Sequence, residues 1–195
     1  MNSNVRIYKT DEALAENLSE RLKEEINKSQ NYFYFSISGG NTPAPFFNRL
    51  SLSPFNEDIL WNKLQMFWCD ERCVPPEDAE SNYGRTKQLL LDHVGIPEEN
   101  IHRIKGETNP NEEAIRYAKE IEKFVPLNDK KLPAFDWILL GLGEDGHIAS
   151  IFPGQKFSLV YLNYCGVASH PKTGQKRISL TLDVINNAKK ISFIV

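Results

Sequence analysis

The sequence predicts an α/β fold: a mostly parallel sheet with helices on both faces, in three layers. Short apolar runs rich in aromatic and β-branched residues alternate along the chain with segments of helical periodicity. Three of the strongest runs lead directly into loops dense in glycine or charge. At 195 residues, 41% apolar and 25% charged, the chain has the composition and length of one globular core. A single domain over residues 1–195 is therefore expected.

The elements follow in order. Val5 to Tyr8 alternates apolar and polar residues, which predicts an edge strand. Thr10 is the expected cap of a helix with Asp11 and Glu12 in its first turn and Ala13 at its third position. Leu14, Leu18, Leu22 and Ile26 recur every four residues, so this helix is amphipathic and runs to about Ser29. Tyr32 to Ile37 is a buried strand. Pro43 suits the first turn of the next helix, with Asn41 or Thr42 as its cap. A strand at Leu64 to Trp68 precedes helical patterns at Tyr83 to His93 and Glu112 to Phe124. Phe135 to Leu140 is the third strong strand. Strands are also expected around Leu159 to Ala168, at Ile178 to Leu182 and at Ile191 to Val195, with a polar loop at Ser169 to Lys176. The chain ends inside its last strand, so further residues are expected beyond Val195.

Net charge is -3 and the pI about 5.9, without the basic stripe of a nucleic-acid binder. Mild acidity still allows an anionic substrate, because a site needs only local positive charge. No apolar run reaches the ~18 residues that cross a bilayer, and Met1 to Thr10 lacks the apolar stretch of a signal peptide. The three cysteines, Cys69, Cys73 and Cys165, read as free thiols in a reducing, cytoplasmic setting. Cys69 and Cys73 have no accompanying Cys/His cluster, so no metal is expected there.

The loops carry the chemistry, since ligands of open α/β sheets bind beyond the carboxyl ends of the strands. In Ser38 to Pro43, Gly39 and Gly40 allow close backbone approach, and the following helix start favours a phosphate at Gly39, Gly40, Asn41 and Thr42; the plain alternative is a tight turn. In Asp70-Glu71-Arg72 the acids can orient sugar hydroxyls while Arg72 takes an anion; alone, it reads better as a solvated charge cluster. Gly141, Gly143 and Gly146 match a dinucleotide fingerprint formally, but Glu144 and Asp145 would repel a pyrophosphate, Pro153 curtails a long helix, and no acid stands about twenty residues on. What remains is Asp145-Gly146-His147 on a ligand-facing turn. His147 can serve as a general base, with Asp145 placed to set its tautomer. His93, His102 and His170 sit in ordinary contexts. Among Lys172, Lys176 and Arg177, Arg177 precedes an apolar-alternating run and can reach inward.

Taken in order, Ser38-Gly-Gly-Asn-Thr-Pro, Asp70-Glu-Arg-Cys-Val-Pro, Ser81-Asn-Tyr-Gly and Gly141-Leu-Gly-Glu-Asp-Gly-His-Ile-Ala-Ser-Ile-Phe-Pro-Gly resemble the motifs of the 6-phosphogluconolactonases. Gln175-Lys-Arg-Ile-Ser-Leu-Thr-Leu and Val184-Ile-Asn-Asn-Ala resemble that family's later segment. The resemblance implies a sugar-phosphate isomerase-like, modified Rossmann fold, no metal and no organic cofactor. It implies hydrolysis of 6-phospho-D-glucono-1,5-lactone to 6-phosphogluconate in the pentose phosphate pathway. His147 maps to the family's general base, and Arg72 and Arg177 to its phosphate or lactone contacts. Two departures stand out: a Thr-Gly turn and Lys-bearing helix common after the last strand are not in this sequence, and Gly154 to Ser169 lacks the family's acidic, Trp-containing character.

The expected partner is a small sugar phosphate, with no nucleic acid or membrane, handled by a monomer or weak homodimer. Glucosamine-6-phosphate deaminase/isomerase is the nearest alternative. That family has a glutamate five residues after its motif histidine, where this chain has Phe152, and Asp-Glu-Tyr where this chain has Asp70-Glu71-Arg72. A non-catalytic sugar-phosphate sensor is a further alternative, against which His147 speaks.

Overall fold

The computed structural model describes residues 4–154, 158–159 and 163–195. Among these, the strands in chain order are β1 (Phe33–Ile37), β2 (Leu64–Trp68), β3 (Asp70–Arg72), β4 (Ile101–His102), β5 (Trp137–Gly141), β6 (Ser158–Leu159), β7 (Cys165–Ser169), β8 (Lys176–Leu180) and β9 (Ile191–Ile194). The α-helices are α1 (Asp11–Lys28), α2 (Ala44–Leu50), α3 (Phe55–Asp58), α4 (Asn82–Leu89), α5 (Pro110–Phe124) and α6 (Leu182–Asn186).

Five strands form a parallel sheet in the order β4-β2-β1-β5-β9. Its register sets the two faces. Phe35 pairs with Met66 and Trp137, so these three share one face; Ser36, Phe67 and Ile138 share the other. Helix α1 covers the first face, with the Arg21 guanidinium 5.2 Å from the Trp137 ring centre. Helix α4 joins it there through Tyr83, edge-on to Trp68. Helix α5 covers the second face, where Tyr117 lies 6.4 Å from Phe67 and Glu120 bonds His102. The expected three layers are therefore present, and the fold is α/β.

A second, antiparallel sheet of order β3-β8-β7-β6 packs across α5. Strand–helix alternation does not anticipate it. Strands β7 and β8 are joined by a short loop, and only a longer crossover could bring them parallel. Cys69 is where the chain passes from one sheet to the other: its N–H donates to Ile37 O at 2.7 Å, and its carbonyl accepts from Leu180 N at 2.8 Å. One extended run thus serves both sheets and carries Asp70 to Arg72 to the edge where the site forms.

Local chemistry explains most boundaries. Thr10 Oγ1 accepts from Ala13 N at 3.2 Å and starts α1, which buries Leu18, Leu22 and Ile26. Asn109 caps α5 with Pro110 in its first turn, two residues before the expected start. Several expectations are corrected. Val5 to Tyr8 is not a strand: Val5 and Ile7 are exposed, and the segment is tied to α1 by Tyr8 Oη donating to Asn17 Oδ1 at 2.6 Å rather than by a backbone ladder. Neither Asn41 nor Thr42 caps α2 by its side chain; Pro43 takes the cap position, and a turn from Ala44 N to Asn41 O closes the loop. The helix expected over 83–93 stops at Leu89, and a 3₁₀ turn follows at Leu91–His93 because Leu90 turns out of helical geometry into the core. The strand at 178–182 lies instead at Lys176–Leu180, with Thr181 capping α6. The expected 159–168 strand divides into β6 and β7, and residues 160–162 lie outside the described residues.

Candidate active site

The three loops meet at the carboxyl ends of β1, β2 and β5 and, with β3 and β8, line one open cleft. Ser38, Gly39, Gly40, Asn41 and Thr42 form one wall. Asp70, Arg72, Asn82 and Arg177 form the second, and Gly141, Leu142, Gly143, His147 and Ala149 the third. Of the residues singled out in the sequence, Gly39, Gly40, Asn41, Thr42, Asp70, Arg72, His147 and Arg177 all line this cleft. Asp145 stands behind His147 rather than in the wall, and Lys172 and Lys176 lie outside it.

His147 sits on a turn closed by Gly146 N to Gly143 O and Gly143 N to His147 O, each 2.9 Å. Its Nδ1 is 2.5 Å from Asp145 Oδ1, and its own N–H donates to the same oxygen at 3.2 Å. The contact with His147 holds the Asp145 carboxyl below its ordinary range, so Asp145 is an acceptor. The shared proton therefore belongs on Nδ1, which leaves the Nε2 lone pair for the cleft. Gly143 is required at its position: a methyl group there would lie 2.2 Å from His147 Cε1 and Nδ1. The fingerprint glycines therefore serve an imidazole, and no helix opens after Gly146 among the neighbouring described residues.

The opposite wall is cationic. Arg72 and Arg177 pair directly across β3 and β8. Arg177 is buried, and burial first, then the Arg72 charge, pull its guanidinium below the usual arginine range. Arg72 donates from Nη1 to Glu80 O at 2.6 Å, while its buried Nε makes no hydrogen bond to the described residues. Asp70 is held by Ser150 Oγ, which donates to Oδ2 at 2.6 Å. Asn82 Nδ2 donates to Asp70 O at 2.9 Å, and the buried Asn82 Oδ1 is left without a partner among the described residues. Gly39 makes room for this amide, since a Cβ at Gly39 would lie 2.3 Å from Asn82 Cγ.

Glu71 turns away from the cleft and holds the start of α4. It accepts from Asn82 N at 2.8 Å, Tyr83 N at 2.7 Å and Ser81 Oγ at 3.2 Å. Burial pushes its carboxyl up to about 7 against these donated bonds. Burial likewise raises the Cys69 thiol to about 12 and Cys73 to about 11, which leaves both poor nucleophiles.

Sequence reasoning missed Asn82, although Ser81-Asn-Tyr-Gly was among the recognised motifs; the signal was there without a role attached. It also left His170 as an ordinary loop residue, whereas the structure sets its ring 5.2 Å from that of Phe152, itself 5.0 Å from His147. Nothing local marks that contact. His102 is structural, buried between Phe67 and Phe124 with its nitrogens on Gln65 and Glu120.

A family model described as glucosamine-6-phosphate isomerases/6-phosphogluconolactonase matches residues 9–195. The chain belongs to this family. Over 162 residues it is 46% identical to the 6-phosphogluconolactonase of Haemophilus influenzae, covering 83% of this chain and 67% of that one. The crystal structure of devB protein superposes with a TM-score of 0.90 at 43% identity, covering 96% of this chain and 78% of the other. The structure of 6-phosphogluconolactonase from Trypanosoma brucei superposes with a TM-score of 0.81 at 26% identity, covering 98% and 81%. Within the family, the Asp145–His147 turn and the Arg72–Arg177 pair are the features of this chain that bear on chemistry.

Proposed function

We propose that this chain hydrolyses 6-phospho-D-glucono-1,5-lactone to 6-phosphogluconate, as its 6-phosphogluconolactonase relatives are named for doing. The observation that carries the reading is the imidazole of His147, tied at Nδ1 by Asp145 and lining the same cleft as the paired guanidiniums of Arg72 and Arg177. Arg72 and Arg177 hold the substrate's phosphate, with the Gly39 to Thr42 loop against it and Asp70 and Asn82 available to sugar hydroxyls. His147 Nε2 takes a proton from a water as its oxygen bonds to the lactone carbonyl carbon. The tetrahedral oxyanion is stabilised by cleft N–H groups or a guanidinium. The ring C–O bond then breaks, the imidazolium returns the proton to the leaving ring oxygen, and the new carboxylic acid ionises. Asp145 keeps the tautomer that makes Nε2 the base and stabilises the imidazolium. Phe152, which stands where a deaminase would need a proton-moving glutamate, has no proton to exchange.

The reading extends to setting and assembly. Three free thiols support a reducing, cytoplasmic location. No helix among the described residues is long and apolar enough to cross a membrane. The ligand is a free sugar phosphate, taken up by a monomer or weak homodimer. The test is turnover of freshly prepared lactone, coupled to 6-phosphogluconate dehydrogenase, with spontaneous opening subtracted. A rate no greater than the spontaneous one, from folded protein, overturns the proposal; ammonia release from glucosamine 6-phosphate would redirect it to the deaminase.

A further inference from the structure

Phe152 occupies a junction that the reaction above does not use. The turn after His147 reverses the chain: Ile151 N donates to Ile148 O at 2.9 Å, and Ala149 adopts a positive φ of 47°. This reversal folds Phe152 back beneath the imidazole. Its ring is buried, with a centroid 5.0 Å from that of His147 at an interplanar angle of 43°. The Arg177 guanidinium carbon lies 5.7 Å from the same ring centre. On a third side the ring of His170 meets it edge-on, at 5.2 Å and 84°. His170 is itself anchored, with its N–H donating to Gln175 O at 2.9 Å and its Nδ1 accepting from Thr173 N at 3.2 Å.

We propose that Phe152, braced by His170, is a positioning residue that holds the His147 imidazole and the Arg177 guanidinium at their working separation across the cleft. An aromatic face suits both neighbours, because it packs against an imidazole and attracts a guanidinium. His147 has one hydrogen-bonded anchor, Asp145 Oδ1, on an exposed turn. A single contact leaves the ring free to swing about that hydrogen bond, and a buried ring beneath it removes the freedom. His170 fits the brace as a neutral group. Its accepting Nδ1 carries no proton, and burial first, then the nearby Arg177, His147 and Lys172, offset by Asp145, hold its titration below the ordinary histidine range.

The inference rests on the hydrolase reading, and its test separates the two. Wild type, Phe152→Leu and Phe152→Tyr are compared in lactone turnover and, independently, in the rate at which diethyl pyrocarbonate modifies His147 at pH 8, with exposed His93 as the internal standard. Phe152→Leu is expected to lower kcat about tenfold, since small misplacements of a catalytic group are costly, with KM rising less than about threefold because one of two guanidiniums is affected. His147 modification is expected to quicken relative to His93, and Phe152→Tyr to restore both readouts. Wild-type kcat and reactivity in Phe152→Leu overturn the inference. So does a lowered kcat without altered His147 reactivity, or a Tyr variant no better than Leu, either of which reduces Phe152 to packing. Should Phe152→Leu fail to fold, Phe152→Met carries the same readouts. If wild type itself turns over no lactone, the hydrolase reading fails, and the modification rates still decide whether Phe152 holds His147.

Discussion

Arg72 and Arg177 stand directly opposite one another in the antiparallel pairing of β3 with β8, two like charges where a sheet ordinarily sets a complementary pair. Repulsion between them is relieved only in part by Asp70, Glu71 and Glu80, the acids whose charge acts on Arg177. The fold therefore maintains a local cationic excess in a chain of net charge -3. Such an arrangement is stabilised when an anion enters.

Arg177→Gln removes one cation and the repulsion with it. The ligand-free protein is expected to melt within a few degrees of wild type, whereas the stabilisation conferred by 6-phosphogluconate, about 2.7 kcal/mol at a hundredfold excess over Kd, is expected to fall by more than half. Thermal denaturation with and without the ligand measures both. Retention of full ligand stabilisation would place the phosphate elsewhere.

His147→Asn is expected to lower kcat by about 100- to 10,000-fold with little change in KM, the loss expected for a general base. Asp145→Asn can present an amide N–H to Nδ1 and so favour the tautomer whose proton sits on Nε2; about a tenfold or greater fall in kcat is expected. Steady-state kinetics on folded variants check both, and an Asp145→Asn enzyme with wild-type kcat would remove the tautomer argument.

The glycines at the site divide into two kinds. Gly143→Ala drives a methyl into the His147 ring on an exposed turn, so kcat should drop while the melting temperature stays near wild type. Gly39→Ala drives a methyl into the buried Asn82 side chain, so it should cost about 1–3 kcal/mol of stability as an overpacked site. Denaturant melts should therefore separate the two variants, Gly39→Ala destabilised and Gly143→Ala near wild type, whatever Gly39→Ala also does to turnover.

Tyr117 reaches from α5 to the end of β2, where its hydroxyl accepts from Trp68 N at 2.9 Å and donates to Trp68 O at 2.8 Å. It supplies the partner that the two-residue β4 is too short to give. Tyr117→Phe leaves both backbone groups buried and unpaired, at a cost of about 1–3 kcal/mol for each group. Because β3 and Arg72 follow directly, the same variant should weaken ligand binding, which calorimetry can measure.

The raised carboxyl of Glu71, at about 7 in the fold, has a defined consequence for stability. Between the ordinary glutamate range and 7 the folded state holds a proton that the unfolded chain has released. The associated stability is therefore present at low pH and is lost as pH rises through about 7, by up to about 3 kcal/mol. Glu71→Gln, which cannot titrate, should lack this component when unfolding free energies are compared from pH 4.5 to 8. Identical pH profiles would show Glu71 ionised throughout.

Local patterning was sufficient for much of this molecule. The Thr10 cap, the four-residue apolar spacing of α1, the dense apolar runs of β1 and β2, and the loops after β1, β2 and β5 all follow from short-range rules of propensity and periodicity. Those rules also marked His147, Arg72 and Arg177 as residues to watch, because loops beyond strand ends in an α/β sheet converge. Tertiary structure decided what they face. The pairing of Arg72 with Arg177 joins residues far apart in the chain through an antiparallel register that no local signal encodes. Asn82, Phe152 and His170 gained their places the same way, and Val5 to Tyr8 lost its expected strand for want of a neighbour to pair with. A helix carries its hydrogen bonds within itself, and so can be read from its own residues; a strand and a site complete theirs with distant ones, and only the folded chain chooses which.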